Sequence, residues 1–178
     1  MKRFRFLLLD ANVVIKLFEL GLWEHVLDKC DVLLSRTVVE TEVQFYFDDE
    51  GQQVIDLSDD VAARSVTIVD VELTELKQFC GRFDPTYLDA LDAGEAESLA
   101  YLESSPDPCL ICSSDAIVFR TLAQLARSEQ GLALEEVLGK IGLGRELPQQ
   151  FTRSFRERWT KQGEQERIRG IGLKQNLT

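Results

Sequence analysis

The chain predicts an α/β fold, a three-layer α/β/α sandwich around a central, mostly parallel sheet. Three observations predict it. Near the start, Phe4-Arg5-Phe6-Leu7-Leu8-Leu9 runs apolar and stops at Asp10. Such a run, bounded by a polar switch, fits a strand buried on both faces of a parallel sheet. Far downstream, Cys109-Leu110-Ile111-Cys112 is a second buried strand with an acid, Asp115, at its end. Strand-like and helix-like segments alternate along the chain, the pattern of a parallel sheet covered by helices on both faces. A length of 178 residues fits one domain of ordinary size, and 44% hydrophobic residues suffice for a core.

Each element has its own signal. After Asp10, Val13 to Leu20 reads as a helix with Asn12 as N-cap, broken by Gly21. Leu22 to Lys29 is a short helical segment, Asp31 to Ser35 a second strand, and Arg36 to Val43 the start of a helix. Phe45-Tyr46-Phe47 and Gln53 to Leu57 flank a turn at Gly51, as in a small hairpin or arm. Ser58-Asp59-Asp60 caps a short helix to Arg64, and Val66 to Val71 is a strand rich in β-branched residues. Leu73, Leu76, Phe79 and Cys80 share one face of a helix ending near Phe83. Asp84-Pro85 opens a helical stretch that Gly94 is expected to divide in two. Ala116 to Ser128 is an amphipathic helix, and Gly131 to Leu143 a short strand or turn followed by a helix. Pro148 to Ile168 reads as a polar final helix carrying Phe151, Phe155 and Trp159 at i, i+4 and i+8, a stripe that docks on the body or on a partner. The last ten residues are expected to be poorly ordered.

Charge is uneven. The net charge is −11, but from Arg145 onward eight Lys/Arg face four acids, a net +4 that leaves −15 on the rest. The acidic body would repel nucleic acid, so such a substrate needs a local supply of cations. No apolar run approaches the roughly 20 residues of a spanning helix, and the N-terminus lacks the apolar region of about 7–15 residues that a signal peptide needs. A cytoplasmic protein with no membrane role is expected. Cys30, Cys80, Cys109 and Cys112 read as reduced thiols, because no second Cys or His pair completes a zinc site. His25, the single histidine, sits beside Trp23 on an amphipathic segment and is a poor general base.

The acids carry the chemistry. Asp10 and Asp115 each end an apolar strand and precede a helix, Glu40 sits early in the helix after the second strand, and Glu95 follows Gly94. In an open α/β sheet these positions share one edge, where ligands bind. Carboxylates about 4 Å apart repel by roughly 1 kcal/mol in water and about 4 at an intermediate dielectric. The cluster is tolerable if some members protonate or a divalent cation binds, and oxygen ligands of this kind select Mg2+ or Mn2+ over zinc. Glu42 competes with Glu40, and Glu97 with Glu95. Asp92 joins the site if its helix is continuous through Gly94. Taken singly, Asp10 and Asp115 also fit ordinary caps, Glu95 a first-turn position, and Glu40 a solvent-exposed one.

Leu7-Leu8-Leu9-Asp10-Ala11-Asn12-Val13-Val14-Ile15 resembles the first motif of PIN-domain (PilT N-terminal) nucleases. Leu91-Asp92-Ala93-Gly94-Glu95-Ala96-Glu97-Ser98-Leu99-Ala100 resembles the Gly-Glu-Ala-Glu helix of one branch of that family, and Cys112-Ser113-Ser114-Asp115 its late Ser/Thr-x-Asp motif. The resemblance covers about residues 4 to 143. It implies a PIN-like nuclease domain over residues 1–145, with a basic C-terminal helix and tail over 146–178. It further implies a Mg2+- or Mn2+-dependent endoribonuclease that hydrolyses RNA phosphodiesters and leaves a 5′-phosphate. Asp10, Glu40, Glu95 and Asp115 match the family's metal-binding acids, and Asn12 and Ser114 match polar positions that orient the acids or the attacking water. RNA is the implied substrate, and an antitoxin protein and a second copy of the chain are the implied partners, with the Phe/Trp stripe as a pairing surface. The segment from Tyr46 to Leu57 and the helix past Leu147 are additions to the smallest family members.

Two other readings compete. A haloacid-dehalogenase-type magnesium phosphatase also starts from a strand-end acid, but it wants a proton-donating Asp where this chain has Asn12. A non-catalytic module would use the acidic edge to bind a partner.

Overall fold

The computed structural model describes residue 2 and residues 4–174. Five strands form one sheet, β1 (Phe4–Leu9), β2 (Cys30–Ser35), β5 (Val66–Val69), β6 (Leu110–Cys112) and β7 (Gly131–Leu132). Their order is β5-β2-β1-β6-β7, and every pairing in it is parallel. β3 (Phe45–Asp48) and β4 (Gly51–Val54) form a separate antiparallel hairpin, as the turn at Gly51 predicts. Among the described residues, no helix is long and apolar enough to cross a membrane.

The all-apolar strands are explained by what covers them. Leu7 and Leu9 of β1, with Val32 and Leu34 of β2, face one core. That core is closed by α1 (Ala11–Glu19), α2 (Trp23–Lys29) and α8 (Leu134–Lys140). Leu8 and Leu33 point the other way, into a core shared with α4 (Leu73–Gly81), α6 (Ala93–Ser104) and α7 (Ala116–Gln124). Period-2 alternation thus feeds two cores and needs no polar face. The result is the three-layer α/β/α sandwich. Phe6 adopts a left-handed φ of 53°, where the β1–β2 register slips between Phe4 and Leu7. Beyond this bulge Leu7–Leu9 pair in register with Leu110–Cys112.

The boundaries differ from expectation where local chemistry overrides periodicity. α1 begins at Ala11, so Asn12 lies within its first turn and is not the cap. Val38–Glu42 is a π-helical turn, closed by the Val43 N–H donating to the Val38 carbonyl at 2.9 Å. The break expected at Gly94 falls earlier, between α5 (Pro85–Leu88) and α6, where Asp92 is the N-cap. α3 (Ser58–Ala62) is as short as expected.

The C-terminal helix α9 (Arg153–Ile168) is fastened to the body by its polar face. Glu166 accepts from Arg120 Nε and Nη2 at 3.0 Å each and from the Tyr87 hydroxyl at 2.5 Å. Phe155 meets Phe119 edge-on at 6.4 Å and continues to Trp159 at 6.1 Å. Phe151 precedes the helix and belongs to the opposite core. The expected stripe is therefore split between two sides of the sheet and largely spent inside the chain. Poor order was expected over the last ten residues; of these, Gly172, Leu173 and Lys174 are tied down, with Lys174 N–H donating to the Arg82 carbonyl at 2.7 Å. Residues 175–178 lie outside the described residues.

Candidate active site

The strand order reverses between β1 and β6, because the chain moves outward from β1 to β2 and β5 and then returns to β6. Open α/β sheets bind ligands at the carboxyl ends of the strands flanking such a switch point. Asp10 follows β1 and Asp115 follows β6, so both stand there. The Asp10 N–H donates to the Cys112 carbonyl at 3.1 Å and ties the two strand ends together.

Asp10 is 4% exposed. It occupies the N-cap position of α1, yet its side chain makes no capping bond there. The Ser113 hydroxyl instead donates to Asp10 Oδ2 at 3.0 Å, and the Ser113 oxygen accepts from the Asp115 N–H at 3.0 Å. One serine thus links the two strand-end acids. Asp115 does cap α7, accepting from the Ile117 N–H at 3.1 Å.

Glu95, also 4% exposed, comes from the first turn of α6. Its carboxylate accepts from the Asp92 N–H at 3.0 Å, while Asp92 accepts from the Glu95 N–H at 2.7 Å, a reciprocal capping box. The ordinary capping role and a place in the cluster coexist in this residue. Burial, followed by the charges of Asp10 and Asp115, pushes the Glu95 carboxyl up to about 9. Burial pushes Asp10 up to about 7; the Ser113 hydrogen bond opposes this, and the charges of Asp92 and Asp115 add to it. The charges of Asp10 and Asp115, remote in sequence, therefore both reach Glu95.

Glu40 is not brought to these acids. It is exposed and pairs with Arg36 at 2.9 Å, while Arg36 also binds Asp70 at 2.6 Å. The i,i+4 spacing from Arg36 draws Glu40 outward. Glu42 turns inward from the π-helical turn. Its Oε1 accepts from the Gly94 N–H at the start of α6 at 3.0 Å, and its Oε2 is buried without a hydrogen-bond partner. Burial and the charge of Asp92 raise the Glu42 carboxyl above its ordinary range. Glu97 points elsewhere, accepting from the Thr37 N–H at 3.0 Å. Between Glu95 and Glu97, the structure brings Glu95 to Asp10 and Asp115.

Of the two supporting positions, Asn12 is exposed and Ser114 is buried at 8% exposure. The serine that touches the acids is Ser113, which sequence reasoning passed over. Its signal was present, since a serine two residues before an acid after a strand end is the spacing of a side-chain-to-backbone turn.

The donors assembled here are carboxylate oxygens, which in kind fit a hard divalent cation. Glu42 Oε2, buried and partnerless, is an acceptor in want of a positive partner. Among the described residues, no three His, Cys, Asp or Glu side chains are already grouped so as to hold a metal. The fold and site together define an α/β sandwich with a buried acid cluster at its switch point. Comparison with protein-family models, curated proteins and solved structures finds no match to this chain.

Proposed function

We propose that the chain is a Mg2+- or Mn2+-dependent endoribonuclease of the PIN-domain kind, with RNA as its substrate. The observation that carries the reading is the pair of strand-end acids, Asp10 and Asp115, joined through Ser113 at the sheet's switch point, with the charges of both raising the buried Glu95 carboxyl. The α/β/α architecture is the one the sequence resemblance implies. Asp10, Glu95 and Asp115 would hold the metal, with Glu42 in place of Glu40 at the α6 side. When bound, the ion supplies charge neutralisation at the scissile phosphate and a more acidic water.

The chain's own residues do the rest. Ser113 fixes Asp10 Oδ2 and keeps the two strand ends in register. Burial raises the Asp10 and Glu95 carboxyls so that they can coexist in the fold, and a cation held there would be bound with release of protons and more tightly as pH rises.

The test is cleavage of a mixed-sequence RNA by the full chain with Mn2+ or Mg2+. Asp10→Asn and Asp115→Asn are expected to lower the rate at least about 100-fold while circular dichroism stays unchanged. Either variant at wild-type rate overturns the site. Phosphate release from small monoesters without RNA cleavage returns the phosphatase reading.

A further inference from the structure

One face of α1 is only partly spent on the core. Ala11, Val13, Val14 and Leu17 are buried, whereas Asn12, Ile15, Lys16 and Glu19 recur at i, i+3, i+4 and i+7 on the opposite side. This face forms a wall of a cleft of about 350 Å³. Ser114, Gln150 and Phe151 complete its lining, the last two from the 3-10 turn before α9. The cleft adjoins the acid cluster through the chain itself: Asn12 is two residues past Asp10, and Ser114 lies between Ser113 and Asp115.

We propose that this cleft seats one nucleotide of the RNA chain next to the scissile phosphate. This rests on the nuclease reading above. The volume lies at the lower end of the roughly 300–1,000 Å³ of small-molecule sites, which suits a single nucleotide and not a longer segment. The lining matches the parts of a nucleotide. Asn12 and Gln150 offer two side-chain amides, each both donor and acceptor, as the edge of a base requires. Both residues are exposed to solvent at the cleft. Ile15 and Phe151 supply an apolar wall. Lys16 supplies a cation for phosphate; its ammonium lies 5.6 Å from the Phe151 ring centroid and is held there by Glu19. Lys16, paired with Glu19, is the cation in this cleft, and in so acidic a body an anionic substrate needs such a local cation. Gln150 and Phe151 belong to the segment beyond residue 145, so the added C-terminal part completes the cleft. The sequence alone set it apart as an appendage.

The probes are AMP, GMP, CMP and UMP, titrated with the metal-free full chain in EDTA and followed by side-chain amide NMR signals. Saturable shifts at Asn12 and Gln150 are expected with at least one of them. Gln150→Ala is expected to weaken that binding about five-fold, the worth of one amide hydrogen bond of about 1 kcal/mol. In RNA cleavage the same variant is expected to raise KM and leave kcat near wild type. Absence of saturable binding up to roughly 10 mM overturns the cleft, as does equal binding of inorganic phosphate or an unchanged affinity in Gln150→Ala. Cleavage of RNA without cleft binding removes the cleft and keeps the nuclease reading. Cleft binding without cleavage keeps the nucleotide seat and removes the nuclease reading.

Discussion

At the scale of single residues, the choice between Glu40 and Glu42 shows how little separates a site residue from a surface one. The two are two positions apart, and an α-helix would point them about 200° from each other. The chain settles the choice with a π-helical turn and an outward pull from Arg36 on Glu40. The pull was legible as an i,i+4 pair in the sequence; the π-turn was not, because β-branched Val38 and Val39 fit many backbones. Glu42 then lies against Gly94, so close that a β-carbon on that glycine would sit 2.3 Å from Glu42 Oε2. If the chain is the metal-dependent nuclease proposed, Glu42→Gln is expected to weaken its apparent Mn2+ affinity about 10-fold, and Glu40→Gln to leave it within about two-fold. Manganese titrations of RNA cleavage by the two variants check this, and the reverse ranking restores Glu40. Gly94→Ala should mimic Glu42→Gln, since the new methyl displaces the carboxylate.

At the scale of elements, the strands and the final helix were readable as such, but the way the second half of that helix docks was not. Each strand of the sheet is a short apolar run between polar residues, and both strand-end acids stand where such runs place them. α9 has no apolar stripe of that kind along its second half. It docks there through Gly163 and Glu166, with Gln162 bracing Glu166 from the same helix, and in sequence these look like a solvated polar face. The glycine permits the contact: a β-carbon at Gly163 would lie 2.6 Å from the Arg120 carbonyl oxygen and 2.7 Å from its Cα. Because this neighbour is backbone, it does not step aside as a flexible side chain does. Gly163→Ala is therefore expected to destabilise the fold by about 1–3 kcal/mol despite the better helix propensity of alanine. For a chain of this size that is a fall in Tm of roughly 2–4 °C per kcal/mol. A Tm equal to or above wild type would mean that α9 does not pack on α7 through this glycine.

At the scale of the whole molecule, the buried acids set how stability responds to pH. Asp10 and Glu95 start from ordinary values of 3.8 and 4.5 and are raised to about 7 and about 9 in the fold. Between about pH 4.5 and 9 the folded state thus binds more protons than the unfolded chain, and stability falls as pH rises through that window. The buried thiols of Cys30 and Cys112 and the Tyr87 hydroxyl are also raised, Cys30 to about 11 and Tyr87 to about 12, and extend the same trend into alkali. Glu166 is shifted the other way by Arg120, Gln162 and Tyr87, which outweigh its burial; its contribution is present above the ordinary carboxylate range and lost as pH falls below it. In EDTA the metal-free protein should therefore have a higher Tm at pH 6 than at pH 9, with the gain reversing only in acid. Asp10→Asn removes one of the two titrating acids while its amide oxygen can still accept from Ser113, so it should flatten the slope and raise Tm at pH 9. Saturating Mn2+ should stabilise the protein more at pH 9 than at pH 6, because the ion binds the deprotonated acids and is linked to the release of their protons. Thermal melts across this range, with and without Mn2+, read both effects. A Tm that climbs with pH in EDTA would show that Asp10 and Glu95 are charged and solvated in the metal-free fold, and the cluster would lose its reason to bind a cation.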